Sequence, residues 1–309
     1  MTFRTEFISS KSKNLIDYKK KILFLGSCFS ENIGEKLLEV KFNVLINPFG
    51  TVFNAASIAT LLRYCNDMPI SADKVSQIED SYRHHDFHSK YNNVSLQALM
   101  HNIQEDISKT KDFIQKSDVI FITFGTSWIY TLHDSIVSNC HKVSQSSFSK
   151  AILTVDQNLH YMKDALQTIF TLNPTTKVVF TLSPVRHIKD GLIENNRSKA
   201  HLLSAIHQLV EEKSIEYFPA YEIMMDDLRD YRFYCSDLIH PNEQGINYVW
   251  EKFLDQFFSQ ETIKIMEEIS KIIKFENHRP TLKSKSYTVH KAEVEKKKEE
   301  FMKKYLITF

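Results

Sequence analysis

Lys21–Gly26 reads KILFLG, and Ser27-Cys28-Phe29-Ser30 follows without a break. A lysine lead, four consecutive apolar residues and a glycine stop predict a short buried strand. Behind it, Ile33, Leu37, Leu38 and Val40 fall on one side of a helix. That spacing predicts a helix over 30–40, with Ser30 as its N-cap. The decisive unit is therefore a buried strand turning directly into an amphipathic helix.

The same alternation continues outward. Asn43–Ile46 is a second strand closed by Asn47-Pro48, and 55–64 is helical. The stretch 118–125 (DVIFITFG) is β-branched and aromatic, hence a strand, and 177–184 (KVVFTLSP) is another. Helical spacing covers 156–172, 197–213 and 242–258, and Glu216–Phe218 is a short fifth strand. Apolar strands alternating with amphipathic helices imply a parallel sheet covered on both faces. The expected fold is α/β, a three-layer α/β/α sandwich with a mostly parallel, flavodoxin-like sheet. Residues 1–259 form this domain, with 65–116 as an insertion between strands. Residues 260–309 form a helical C-terminal extension that breaks at His278-Arg279-Pro280 and resumes over 289–305.

Composition removes several alternatives. The 309 residues contain six glycines, too few and too scattered for G-x-G-x-x-G or a P-loop. Net charge is +1, so neither nucleic acid nor an anionic membrane is expected as a partner. No apolar run reaches the roughly 18 residues of a membrane span. No apolar secretory core stands near the N-terminus, so a cytoplasmic location is expected. Cys28, Cys65, Cys140 and Cys235 form no C-x-x-C pair, and neither a structural zinc nor a disulfide framework is expected. No cofactor is expected.

In a parallel sheet the site lies at the carboxyl ends of the strands. Gly26-Ser27-Cys28 stands at such an end, where a helix N-terminus stabilises a thiolate or an oxyanion. The alternative is a buried cysteine beside a capping serine. Near the end of the α/β section stands Asp237-Leu238-Ile239-His240-Pro241-Asn242. An acid three residues before a histidine can accept its Nδ1–H and fix the tautomer, although a D-x-x-H-P turn can also simply start a helix.

Taken together, the two motifs resemble the SGNH/GDSL hydrolase superfamily, whose first block is G-D-S-[LI] and whose last is D-x-x-H. The letters at Gly26–Phe29 resemble more closely the G-S-C-F signature of the GSCFA-domain family, with Ser30 in place of its final alanine. Phe3-Arg4-Thr5-Glu6, Asn47-Pro48-Phe49-Gly50, Asp86-Phe87-His88-Ser89, Ser183-Pro184-Val185-Arg186-His187 and His278-Arg279-Pro280 also resemble that family. The resemblance implies Cys28 as nucleophile, His240 as base and Asp237 as its orienting acid. It puts Gly50 and Ser127 at the oxyanion positions. Ser127 stands where the superfamily has an asparagine, a departure from the pattern. Ser27 remains a rival nucleophile, because adjacent side chains point in different directions.

The implied activity is acyl hydrolysis or acyl transfer on an ester or thioester, with a small-molecule or glycan-type acyl ester as substrate. The alternative is a non-catalytic ligand-binding or scaffold protein on the same fold. Asn47, His88, Arg186 and His187 are candidate substrate-binding residues. Arg186 and His187 can bind a carboxylate or phosphate; alternatively Arg186 pairs with Asp190 or Glu194. His84, His85, His88 and Asp86 could offer metal ligands, but a polar loop is the expected reading, with no metal site.

Overall fold

The computed structural model describes residues 4–278 and 285–309. Phe3, Arg279 and Pro280, which belong to segments quoted above, lie outside the described residues. Five strands form the central sheet: β1 (Lys21–Gly26), β2 (Asn43–Ile46), β3 (Val119–Phe124), β4 (Lys177–Leu182) and β5 (Glu216–Phe218). Their order is β5-β4-β3-β1-β2, and every pairing is parallel. This is the flavodoxin-like order, whose chain reversal falls between β1 and β3.

Alternating side chains of each strand feed opposite layers. Leu23, Leu25, Ile120, Ile122, Phe180 and Leu182 meet the helices α2 (Ala55–Cys65), α3 (Leu96–Ile114), α4 (Val155–Leu172) and α5 (Leu192–Glu211). On the other face, Ile22, Phe24, Phe121 and Val179 pack against α1 (Cys28–Glu39), α6 (Glu243–Phe257) and α7 (Gln260–Asn277). Met266 and Ile269 of α7 and Phe301 of α8 (Lys285–Tyr305) are buried in that same core. Among the described residues no helix is long and apolar enough to cross a membrane.

Several local expectations need correction. Ser27, not Ser30, caps α1: its hydroxyl accepts the Phe29 N–H at 3.2 Å. Ser30 is inside the helix, bonded to the Leu25 carbonyl and Thr123. α5 begins five residues earlier than the spacing suggested, directly after Gly191. Two small antiparallel sheets are additional. One pairs Val75–Ile78, Ser81–His84 and Asn92–Asn93 within the insertion; the other pairs Trp128–Leu132 with Ser135–Val137 and Ser149–Ile152.

Candidate active site

The carboxyl ends of β1, β3 and β4 converge, and glycine makes the first junction possible. Gly26 has φ +130°, and a Cβ there would sit 2.2 Å from the Thr123 carbonyl oxygen of β3. The Ser27 N–H then donates to that same oxygen at 3.1 Å. This clasp ends β1 flush against β3 and starts α1 at Cys28. Ser27 is buried and committed to the cap, whereas Cys28 is only partly buried and free of disulfide. Of the adjacent pair, the thiol is the accessible group.

The electrostatics around Cys28 are mixed. Burial, then the Glu31 carboxylate, push its thiol above the ordinary cysteine range. The N–H groups of Cys28 and Phe29 at the helix start and the Lys199 ammonium pull the other way. Glu31 is itself pinned, because Asn47 Nδ2 and Thr51 Oγ1 donate to its Oε1 at 3.1 and 2.7 Å. Asn47 Oδ1 meanwhile accepts the Gly26 N–H at 2.9 Å. Asn47, expected to touch substrate, is thus a buried brace beneath the Gly26–Cys28 turn.

The Asp237–His240 pair stands on the loop that leads into α6. His240 Nδ1 and Asp237 Oδ2 are 2.7 Å apart, and Asp237 Oδ1 accepts the N–H groups of Ile239 and His240. These bonds, led by the one to the imidazole, hold the Asp237 carboxyl down at about 2. His240 is half exposed. Among the described residues no hydrogen bond joins its Nε2 to Cys28. The loop is held from β4: the Arg186 N–H donates to the Ile239 carbonyl, and the guanidinium donates to the Leu238 carbonyl and lies over the Tyr231 and Tyr234 rings. Leu238 has φ +58°, a left-handed conformation unusual for leucine. Neither Asp190 nor Glu194 pairs with Arg186; they pair with Lys150 and Arg197. Arg186 therefore holds the Asp237–His240 loop in place.

His187 follows immediately. Its ring leans on Phe53, and its Nε2 is buried without a partner. Burial, then the charges of Lys199 and His240, depress its pKa to about 4. Gly125 at the end of β3 leaves room for it, since a Cβ there would approach that Nε2 to 3.1 Å.

The expected oxyanion donors are not free. The Gly50 N–H donates to the Asn47 carbonyl at 2.7 Å, closing the Asn47–Gly50 turn. Ser127 is fully buried; its hydroxyl donates to the Ser198 carbonyl at 2.9 Å and accepts from Asn158. The helix-start N–H of Cys28 is left as an orphan donor of the kind found at helix N-termini. His88 braces the other side of Gly50, and its Nδ1 accepts the Lys90 N–H. His84 and His85 are buried and bonded at both ring nitrogens, and Asp86 is bonded to Lys74 and Tyr64. Among the described residues no group of three or more histidine, cysteine or carboxylate side chains is arranged to hold a metal ion.

Sequence reasoning missed Lys199 and Glu31. Lys199 was visible as a polar residue on the stripe that continues through Leu202, Ala205, Ile206 and Leu209. Glu31 gave no signal, since an acid in the first turn of a helix is ordinary.

The sequence profile of the GSCFA family matches residues 21–253. No curated protein matches the chain. Solved structures that resemble it include a catalytic mutant of an acetylxylan esterase from Geobacillus stearothermophilus, 11% identical, with a TM-score of 0.41, covering 79% of this chain and 97% of that one. A carbohydrate esterase family 3 protein from Talaromyces cellulolyticus is also 11% identical, with a TM-score of 0.38, over 82% and 99% of the two chains.

Proposed function

The chain belongs to the GSCFA family, and from the arrangement of its strand ends we propose that it is an acyl hydrolase or acyltransferase acting on an ester or thioester through Cys28. The observation that carries this reading is an accessible thiol at a helix N-terminus after β1 together with a bonded Asp237–His240 pair on a loop held by Arg186, which follows β4. Asp237 fixes the proton on Nδ1 and leaves Nε2 basic. His240 takes the Cys28 proton as Sγ attacks the acyl carbon. The tetrahedral oxyanion is met by the Cys28 N–H and the positive end of α1. Collapse expels the alcohol or thiol, which takes the proton from His240, and leaves a thioester on Cys28. Water completes hydrolysis; an amine, alcohol or thiol acceptor completes transfer. Small-molecule and glycan-type acyl esters are the substrate class.

The test is a panel of short-chain acyl esters and thioesters, read by acyl release and by the intact mass of trapped enzyme. Release that disappears in Cys28→Ala, with an acyl increment on the wild-type chain, supports the proposal. A second reading is favoured by one fact, the lack of a hydrogen bond between Cys28 and His240: a non-catalytic ligand-binding protein on the same fold. It predicts no turnover anywhere in the panel and ligand binding that survives Cys28→Ala.

A further inference from the structure

Beside the Asp237–His240 loop lies a groove of about 170 Å³, lined by Arg186, Arg229, Tyr231, Tyr234, Met224 and Met225. The Cys235 N–H donates to the His240 carbonyl at 2.8 Å, and Tyr234 bridges to Pro241, so the tyrosine wall is tied directly to that loop. Arg186 makes a second join: its guanidinium donates to the Leu238 carbonyl and, at 3.3 Å, to Tyr231 Oη. Those bonds use two of the five N–H donors of an arginine. The Nε–H is buried without a partner. The guanidinium is fixed over Tyr231 and Tyr234, 5.1 and 5.0 Å from their ring centres. Arg229 caps the helical turn Ile223–Leu228 in a left-handed conformation, φ +45°, and is exposed. Among the described residues its side chain meets no hydrogen-bond or ion-pair partner. Asp230, the carboxylate among the lining residues, is paired with Arg232 at 3.0 Å. Two guanidiniums thus line one small groove, and among the described residues no carboxylate pairs with either.

We infer that this groove is an oxyanion subsite, which binds a carboxylate or phosphate group between Arg186 and Arg229. Planar guanidinium forks pair with such groups through parallel N–H···O bonds, and Arg186 keeps donors to spare after holding the loop. Holding the loop does not explain Arg229, which touches no part of it. The volume suits one group rather than a whole substrate: complete small-molecule sites start at roughly 300 Å³, and this groove offers about 170 Å³. The tyrosine rings and the two methionines supply an apolar wall for the atoms that carry the anion. The place of the subsite in the reaction rests on the proposed acyl chemistry. There His240 returns its proton to the leaving alcohol or thiol, so a group bound beside its loop belongs to that half. The substrate class narrows to esters or thioesters whose alcohol or thiol half bears a carboxylate or phosphate.

The test titrates the full chain with phenyl phosphate, benzoate and benzyl alcohol, which share a ring and differ in charge. None is a carboxylic ester, so binding is read apart from turnover and failure of the Cys28 chemistry does not enter the result. Calorimetry gives the affinity, and the arginine Nε–H resonances give the place. At least one anion should bind saturably, more weakly as salt rises, and shift the Arg186 and Arg229 resonances. Benzyl alcohol should bind at least about tenfold more weakly. Tighter phenyl phosphate identifies a phosphate group and tighter benzoate a carboxylate; both orders support the subsite. Arg229→Gln should weaken anion binding about tenfold or more, as loss of a charge-assisted bond does. Lys303→Gln, an exposed change on α8, should leave the affinity as it was. No saturable anion binding in the wild-type chain overturns the inference, as does equal binding of benzyl alcohol. So does an unchanged affinity in Arg229→Gln.

Discussion

The insertion and the sheet edge both hold histidines, and they bond them differently. In the insertion, His85 bonds Asn139 through Nδ1 and Ser76 through Nε2, each at 2.8 Å, and His84 bonds Ser71 and the Asp86 N–H. At the edge, His187 buries an Nε2 that meets no partner, and His240 bonds only through Nδ1. His141 stands between these cases, with Nε2 on the His84 carbonyl and Nδ1 unpaired. Buried polar groups are normally satisfied, and an unsatisfied one costs about 1–3 kcal/mol. In the histidine-dense DSYRHHDFHSK stretch His84 and His85 are bonded at both ring nitrogens and His88 through Nδ1, whereas the quieter His187 keeps a buried Nε2 that the fold leaves unpaired.

The largest expected effect breaks or keeps this contrast outright. Cys28→Ala should lower acyl release by at least about 10³-fold, as loss of a covalent nucleophile does. His85→Phe should leave the rate constant of the folded fraction unchanged while lowering the melting temperature. If the two variants lose turnover equally with both proteins folded, the insertion belongs to the chemistry and the contrast fails.

Next in size is Asp237→Asn. Without the carboxylate, Nδ1–H loses its acceptor and the imidazole loses basicity, so kcat should fall on the order of 10²-fold with little change in KM. Its bonds to His240 and Ile239 hold the Asp237 carboxyl down at about 2, so it stays ionised through any workable assay. A kcat that falls while KM holds supports the pair; an unchanged kcat removes Asp237 from its orienting role.

A smaller effect concerns stability. Burial depresses His84 from 6.5 to about 4. The folded state then holds a neutral imidazole that the unfolded chain would protonate. Its stabilisation is present in full above about 6.5 and is lost as pH falls toward 4, by up to about 3 kcal/mol. His84→Gln removes that titration, so the fall in melting temperature between pH 7 and 4.5 should flatten. A slope identical to wild type would mean that His84 binds protons alike in the folded and unfolded chain.

The fold was legible because its cues are local. KILFLG, DVIFITFG and KVVFTL each carry the continuous apolar run that burial on both faces demands. The two small antiparallel sheets were not legible: their strands are short, half exposed and mixed in character, so no period stands out. The placement of Cys28 just after β1 and the bond between Asp237 and His240 could be read, because the first follows from the end of an apolar run and the second from a three-residue spacing. The oxyanion assignments could not. Whether the Gly50 N–H and the Ser127 hydroxyl are free depends on Asn47 and Ser198, and on how the chain turns there. Lys199 lies on an apolar stripe that the sequence displays, yet a lysine near the start of a helix reads as solvated until its neighbours enclose it.

The smallest contrast lies where the two regions touch, at the turn between His88 of the insertion and Asn47 beneath the Gly26–Cys28 turn. Gly50 has φ +80°, and a Cβ would fall 2.3 Å from His88 Cβ. Gly34 lies within α1, and its added Cβ would meet the Ile46 side chain at 2.7 Å, a neighbour that can rotate away. Gly34→Ala also gains up to about 1 kcal/mol of helix propensity, so its net effect should stay within about 1 kcal/mol of zero. Gly50→Ala has no such compensation; left-handed strain and the clash should together cost about 2 kcal/mol or more. The turn it distorts fixes Asn47, which holds both the Gly26 N–H and the Glu31 carboxylate. Displacing Asn47 frees Glu31 from its clamp beside Cys28, so Gly50→Ala should shift the pH midpoint of Cys28 alkylation, whereas Gly34→Ala should not. Equal melting temperatures and equal midpoints for the two variants would show that the insertion does not brace the thiol through this turn.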